Sequence, residues 1–475
     1  MDNKIGKGLF WKLLERFGVQ GSQFLLQLIL ARILDPEHYG VLSLMVIFTT
    51  LANVFIQTGF STALVQNKDV TEEDYSSVFW VSFGIAGVLY AAIFFAAPFI
   101  AAFYQMPDIV APLRVLSLML LPGALNAVQL SKVSREMDFK KVFVSNLSGI
   151  FVAGIAGIVL ALLGFGLWAL VAQMVLNVVV VCIVMAATSG LRLRFRCNFR
   201  RIRVLFSFGW KVLLSGLIDT LYQDIRSLVI GKRYAADTLG YYNRGKQFPQ
   251  FIITASNGAV QSVLLPAMSR KQDDPKALRQ LTRNAISLSA SIVFPIMAGL
   301  AGVATPLVRL LLTEKWLPAV PYLQIYCFSL AFYPIHSANI QAINAMGRSD
   351  IFLGMEILKK SIGIAALVIA VWCFDSPIAI AMTGVFTALI SGFINAFPNK
   401  KLIGYSFGSQ LLDIAPSFLL SVVMLLVVLA VGQLALADIF ILLLQIVAGV
   451  AVYFLGSMLL KLPPYRQLLS TLKKR

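Results

Sequence analysis

The sequence predicts an all-α, polytopic membrane protein of about fourteen transmembrane helices, arranged as two six-helix lobes with two extra helices at the C-terminus. Three observations carry that expectation. The 475 residues are 59% hydrophobic and 13% charged, and a soluble domain carries about twice that charge. Charge-free runs of spanning length recur at 39–67, 78–107, 142–191, 247–269, 284–308, 376–399, 414–437 and 439–460; about 20 apolar residues make one crossing. The lysines and arginines gather in alternate loops, as topology demands of a membrane protein.

The spans are placed near 12–32, 39–60, 78–103, 112–131, 143–163, 167–188, 207–230, 239–267, 284–312, 317–346, 350–373, 377–397, 413–435 and 439–460. The run 142–191 holds two of them, with Gly164-Phe165-Gly166 as the turn. The N-terminus is basic and no small-residue cleavage site follows, which predicts a retained first span and not a signal peptide. With that N-terminus inside, the even-numbered loops hold Lys132, Arg135, Lys140 and Lys141, then the arginines of 191–203, then Arg270, Lys271, Lys276 and Arg279, then Lys400 and Lys401. The odd loops hold little beyond Arg32, Lys232, Arg233 and Lys315. Both termini are therefore expected in the cytosol. The net charge of +18 reads as topology and contact with anionic lipid, with no nucleic-acid partner. Cys182, Cys197, Cys327 and Cys373 lack metal spacing, and the two histidines, His38 and His336, stand alone. Free thiols, no metal site and no cofactor are expected.

Span 1 carries a polar stripe. Arg16, Gln20, Gln23 and Gln27 recur at helical spacing on one face of an otherwise apolar segment. Such groups are costly in hydrocarbon. They look onto a wet cavity or bond to a neighbouring helix. Asp35-Pro36 starts span 2, and Thr71-Glu72-Glu73-Asp74 reads as a capped start for span 3. Gly149, Ala153, Gly154 and Gly157 give span 5 a face for close packing. The alternating stretch 191–203, LRLRFRCNFRRIR, reads as a cytosolic segment lying on headgroups.

The second half restarts the first. At an offset of 200, Gln23 meets Gln223, Leu28 meets Leu228, Arg32 meets Lys232 and Gly40 meets Gly240. Six spans per half is an even number, so the repeat is parallel. The expected domains are an N-terminal lobe at 1–190, a basic linker at 191–206, a C-terminal lobe at 207–397, and two further helices with a basic tail at 398–475.

Span 7 is the most polar: Lys211, Ser215, Asp219, Tyr222 and Arg226 follow helical spacing, broadened by Gln223 and Asp224. Arg244 and Lys246 open span 8; their alternative reading is snorkelling to the interface. In span 11 Glu356 and Lys360 stand four apart in the favourable order, leaving Lys359 without a local partner. Prolines 249, 266, 295, 306, 318, 321 and 334 concentrate in the second half and permit bending. The candidate cavity-lining, substrate-binding residues are Arg16, Gln20, Gln23, Gln27, Lys211, Asp219, Gln223, Arg226, Arg244, Lys246 and Lys359. GxxxxGK[ST], HExxH and GxSxG are absent, and no long outer loop is expected, so no enzyme is predicted.

The segment Arg32-Ile33-Leu34-Asp35-Pro36-Glu37-His38-Tyr39-Gly40, then Gly59-Phe60-Ser61-Thr62-Ala63-Leu64-Val65-Gln66, then Thr71-Glu72-Glu73-Asp74 with Val78-Phe79-Trp80, resembles the polysaccharide transporter family, in particular its lipopolysaccharide and colanic-acid exporter branch. Gly240-Tyr241-Tyr242-Asn243-Arg244 and Leu265-Pro266-Ala267-Met268-Ser269-Arg270 match its second half. The resemblance implies the fold of the multidrug, oligosaccharidyl-lipid and polysaccharide exporter superfamily. It implies a flippase of the bacterial cytoplasmic membrane that moves polyprenyl-pyrophosphate-linked repeat units by alternating access. The implied partners are the lipid-linked oligosaccharide, membrane lipids, a coupling cation, and a polysaccharide polymerase and glycosyltransferases. Two other readings stay open: a cation-coupled drug antiporter of the same fold, and a membrane-embedded polysaccharide polymerase or ligase.

Overall fold

The computed structural model describes residues 11, 14, 18–66, 70–191, 193–194, 199–460 and 462; at 58–63, 65–66, 199–209, 211 and 255–263 it describes the backbone alone. Among the described residues there is helix and turn and no strand. Packing divides the chain into two compact units, Met1–Gly240 and Tyr241–Arg475.

In the first unit the helices are α1 (Gln20–Ile33), α2 (Pro36–Gln66), α3 (Glu72–Tyr104), α4 (Val110–Ser117), α5 (Leu120–Glu136), α6 (Phe139–Leu162), α7 (Leu167–Ser189) and α8 (Phe199–Arg233). α9 (Ala236–Ser269) begins there and continues into the second unit. The start of α3 forms as its sequence predicts. The Asp74 carboxylate accepts from the Thr71 N–H at 2.8 Å and from its hydroxyl at 2.9 Å. The small residues of α6 bring it close to α7. A β-carbon at Gly149 would stand 2.5 Å from Val181, and one at Gly157 would stand 2.9 Å from Gln173. α2 packs against α8, α5 and α3.

The beginning of the basic stretch departs from the headgroup reading. Leu191 and Leu193 pack on the cluster of Tyr75, Val78 and Phe79. The Arg194 N–H donates to Ser76 Oγ, and the Trp80 indole donates to the Arg194 carbonyl, both at 3.0 Å. The two-residue alternation thus serves an extended segment with its leucines on α3. Arg194 points outward and is exposed. The rest of the stretch up to 198 lies outside the described residues.

The second unit contains α10 (Pro275–Gly302), α11 (Ala304–Leu312), α12 (Val320–Ala331), α13 (Tyr333–Ala345), α14 (Ser349–Cys373), α15 (Pro377–Leu402), α16 (Phe407–Val431) and α17 (Asp438–Leu459). Two expected spans are broken. Pro306 has no N–H to give the Gly302 carbonyl. The 284–312 segment therefore divides at Val303, and the Gln445 side chain donates to Gly302 O at 3.4 Å instead. The 317–346 segment divides at Phe332, one residue before Tyr333-Pro334. By contrast Pro249, Pro266 and Pro295 sit inside continuous helices.

Among the described residues, nine helical stretches are long and apolar enough to cross a membrane. They correspond to spans 2–6, 9 and 12–14. Helices also stand at spans 1, 7, 8, 10 and 11, but those are short, broken or charged. The protein is all-α and polytopic; fourteen as the number of crossings remains a proposal.

Candidate functional site

Arg16 lies outside the described residues, and Lys211 has only its backbone described. The rest of the first stripe, Gln20, Gln23 and Gln27, is half-buried on α1, which packs against α6 through Leu26 and Gly154. On α8, Ser215, Asp219 and Gln223 recur every fourth residue and are exposed, while Tyr222 and Arg226 are half-buried. An exposed carboxylate and carboxamide in a span do not face hydrocarbon without heavy cost. This face of α8 suits a wet space. All of these residues belong to the first unit.

Arg244, Lys246 and Lys359 belong to the second unit. Arg244 is 4% exposed. Its Nη1 donates to Gln247 Oε1 at 2.6 Å, and its guanidinium stands 5.1 Å from the Trp316 ring centroid. Tyr241 meets Trp316 edge-on, and Tyr242 meets both Tyr322 and Tyr326. Gly245 permits this, since a β-carbon there would stand 2.8 Å from Ala319 O and Leu323 N. The cation is held against the Trp316 ring, a contact worth up to about 2 kcal/mol when desolvated. Lys246 beside it is half-buried.

Lys359 is the buried cation of α14 and forms an ion pair with Glu356. The sequence leaves Lys359 without a local partner; the structure gives it the Glu356 carboxylate, three positions earlier. Burial is the reason, because an unpaired charge inside the protein is costly.

Sequence reasoning missed a chain of buried amides. Asn399 Nδ2 donates to Asn339 Oδ1 at 2.7 Å, and Asn339 Nδ2 donates to Gln410 Oε1 at 2.7 Å. Gln410 Nε2 returns to Asn339 Oδ1 at 3.0 Å, and all three side chains are fully buried. Asn395, one turn before Asn399, bonds His336 Nδ1. At the far end the Tyr405 hydroxyl donates to Asp413 Oδ2 at 2.7 Å, and Arg283 Nη2 lies 2.6 Å from Asp413 Oδ1. Burial, reinforced by Asp413, raises the Tyr405 pKa well above the usual phenol range, so it remains a donor. The chain ties α10, α13, α15 and α16 together. Its signal was available: Asn395 and Asn399 stand four apart at the end of span 12, and Asn339 stands among the polar residues of span 10. Metal clusters of three or more ligating side chains are absent among the described residues.

The fold aligns with the lipid II flippase MurJ in an inward closed conformation, at a TM-score of 0.76 and 17% identity, over 97% of this chain and all of that one. That likeness defines the class: a polytopic, all-helical membrane protein with the fold of that flippase. The family model described as "Polysaccharide biosynthesis protein" matches residues 29–321, and the chain belongs to this family. Among curated relatives, the succinoglycan biosynthesis transport protein ExoT of Rhizobium meliloti (strain 1021) is 25% identical over 75% of this chain and 72% of its own length. The lipopolysaccharide biosynthesis protein WzxC of Escherichia coli (strain K12) is 23% identical over 90% of this chain and 87% of its own.

Proposed function

We propose that this protein is a flippase of the bacterial cytoplasmic membrane, both termini cytosolic, that carries polyprenyl-pyrophosphate-linked oligosaccharide repeat units outward by alternating access for cell-surface polysaccharide synthesis. The observation that carries this reading is membership of the polysaccharide biosynthesis family over 29–321, joined to a fold shared along nearly the whole chain with a lipid flippase. The chemistry agrees. A pyrophosphate with polar sugars cannot enter hydrocarbon, so it needs water and cations along its route, while its prenyl tail stays in lipid. Arginine meets phosphate by a bidentate fork. The polar faces of α1 and α8, with Arg16, Lys211 and Arg226, supply that route, and Arg244, Lys246 and Lys359 add cations in the second half. A coupling cation, a polymerase and glycosyltransferases complete the proposed partners.

The test is surface glycan in a flippase-deficient strain complemented with each variant, alongside protein level. One charge-assisted contact is worth roughly 1.5–3 kcal/mol. Arg16→Ala and Arg226→Ala are therefore expected to lower export about tenfold or more, at normal membrane content. Lysine at either position rescues only in part. Normal export by both alanine variants sinks the cationic route.

A further inference from the structure

Two glycines one repeat apart touch each other's helix. A β-carbon at Gly40 would lie 1.7 Å from the carbonyl oxygen of Ala236, and one at Gly240 would lie 2.1 Å from that of Pro36. The contact is reciprocal at the offset of 200 seen in the sequence: 36 pairs with 240 and 40 with 236. All four residues belong to the first unit. In each glycine the hydrogen that replaces the side chain points at the partner's carbonyl, giving two weak Cα–H···O contacts. Neighbouring positions repeat the pattern of burial. Leu30 and Ile230 are both at 0% exposure, and Tyr39 and Leu239 are both buried. Gly231 rests against Leu44 of α2 and Tyr104 of α3.

A second contact joins the same ends. Lys232 is an exposed cation in the last turn of α8, at an end that the expected topology places outside, where positive charge is disfavoured. Its ammonium donates to the Phe103 carbonyl and lies 4.3 Å from the Phe103 ring centroid. Phe103 is in the last turn of α3, where carbonyls lack helical donors and the dipole favours a cation.

We propose that the Gly40–Gly240 seam, latched by Lys232 on the end of α3, is the closed outer gate of this protein. It parts when the route opens to the outside. At the two glycines backbone meets backbone with no side chain between them, so the helices close tightly there. The latch adds an electrostatic contact that water can replace. That the gate is the outer one rests on the flippase reading and its topology; the seam itself is the contact of Pro36, Gly40, Ala236 and Gly240.

The experiment uses the full chain in lipid nanodiscs, its four cysteines replaced by serine, with spin labels at Asp35 and Ala235. These are exposed repeat partners beside the seam. Their distance distribution reports the closed and open populations. Gly40→Ala and Gly240→Ala are each expected to lower the closed-to-open ratio about tenfold, since a methyl forced against a carbonyl must push the helices apart. Lys232→Met is expected to lower it less. Gly87→Ala, at a glycine with open space around it, is the control and leaves the ratio unchanged. In cells, a short cross-link between cysteines at 35 and 235 is expected to stop glycan export. An unchanged ratio in both glycine variants overturns the seam, and so does normal export by the cross-linked chain. If the unlinked chain moves no glycan, the flippase reading fails, and the distances still decide the gate.

Discussion

Glu356 and Lys359 show what a single buried charge requires. Lys359 has 6% of its side chain exposed and Glu356 has 25%. Removing the carboxylate leaves an ammonium in an apolar helix with its partner gone. Glu356→Gln is expected to destabilise the protein by about 3 kcal/mol. Glu356→Gln combined with Lys359→Gln is expected to recover most of that loss. Thermal unfolding of the purified protein in detergent reads both, and equal melting of the single and double variants would refute the pairing. Spacing alone overlooked Lys359, because a four-residue step is favoured on an exposed helix. It carries no knowledge of which face is buried. The amide chain through Asn339, Asn399 and Gln410 was hidden for the same reason: isolated amides in apolar spans look alike until the helices that unite them are known.

At the scale of elements, most of the helices were legible and most of the breaks were not. The capped start at Thr71 is a local event set by four residues, and it forms as read. Prolines gave an ambiguous signal. Pro306 ends a helix because another side chain, Gln445, takes the carbonyl it leaves, whereas Pro295 is absorbed into α10. The docking of Leu191, Leu193 and Arg194 on α3 was legible only as alternation; its partner on α3 lies far away in sequence. That docking predicts a protease phenotype. Trp80→Phe loses the indole donor to Arg194, worth about 1 kcal/mol. It is expected to speed tryptic cleavage after Arg192 and Arg194 several-fold in inside-out vesicles. A cleavage rate equal to that of the parent would show that the leucines alone hold the segment.

For the molecule as a whole, composition and charge placement were enough to predict an all-helical polytopic chain, because the bilayer allows few alternatives. Packing groups α8 with the first unit, and the compact units divide after Gly240. The lobes at 1–190 and 207–397 remain a proposal drawn from the repeat. Orientation is testable directly. Cysteines placed at Lys401 and Lys474 are expected to resist impermeant maleimides in intact cells and to react once the membrane is opened. Labelling of either in intact cells would invert the topology.

Gly302 and Gln445 are partners separated by 143 residues. A ribosome adding about 5–20 residues each second takes roughly 7–30 s to make that interval. Throughout that time the break after α10 holds a carbonyl without its donor. Asp438 arrives shortly before Gln445 and accepts from Arg309, and Tyr453 arrives still later with its hydroxyl bond to Ser291 O. The second unit is therefore finished by its last helix. A nascent chain stopped before α17 presents open polar groups to the bilayer, the kind of exposed defect that membrane quality control removes. Biogenesis of the second unit is thus timed by α17, and a stop codon placed before α17 is expected to cost the whole protein.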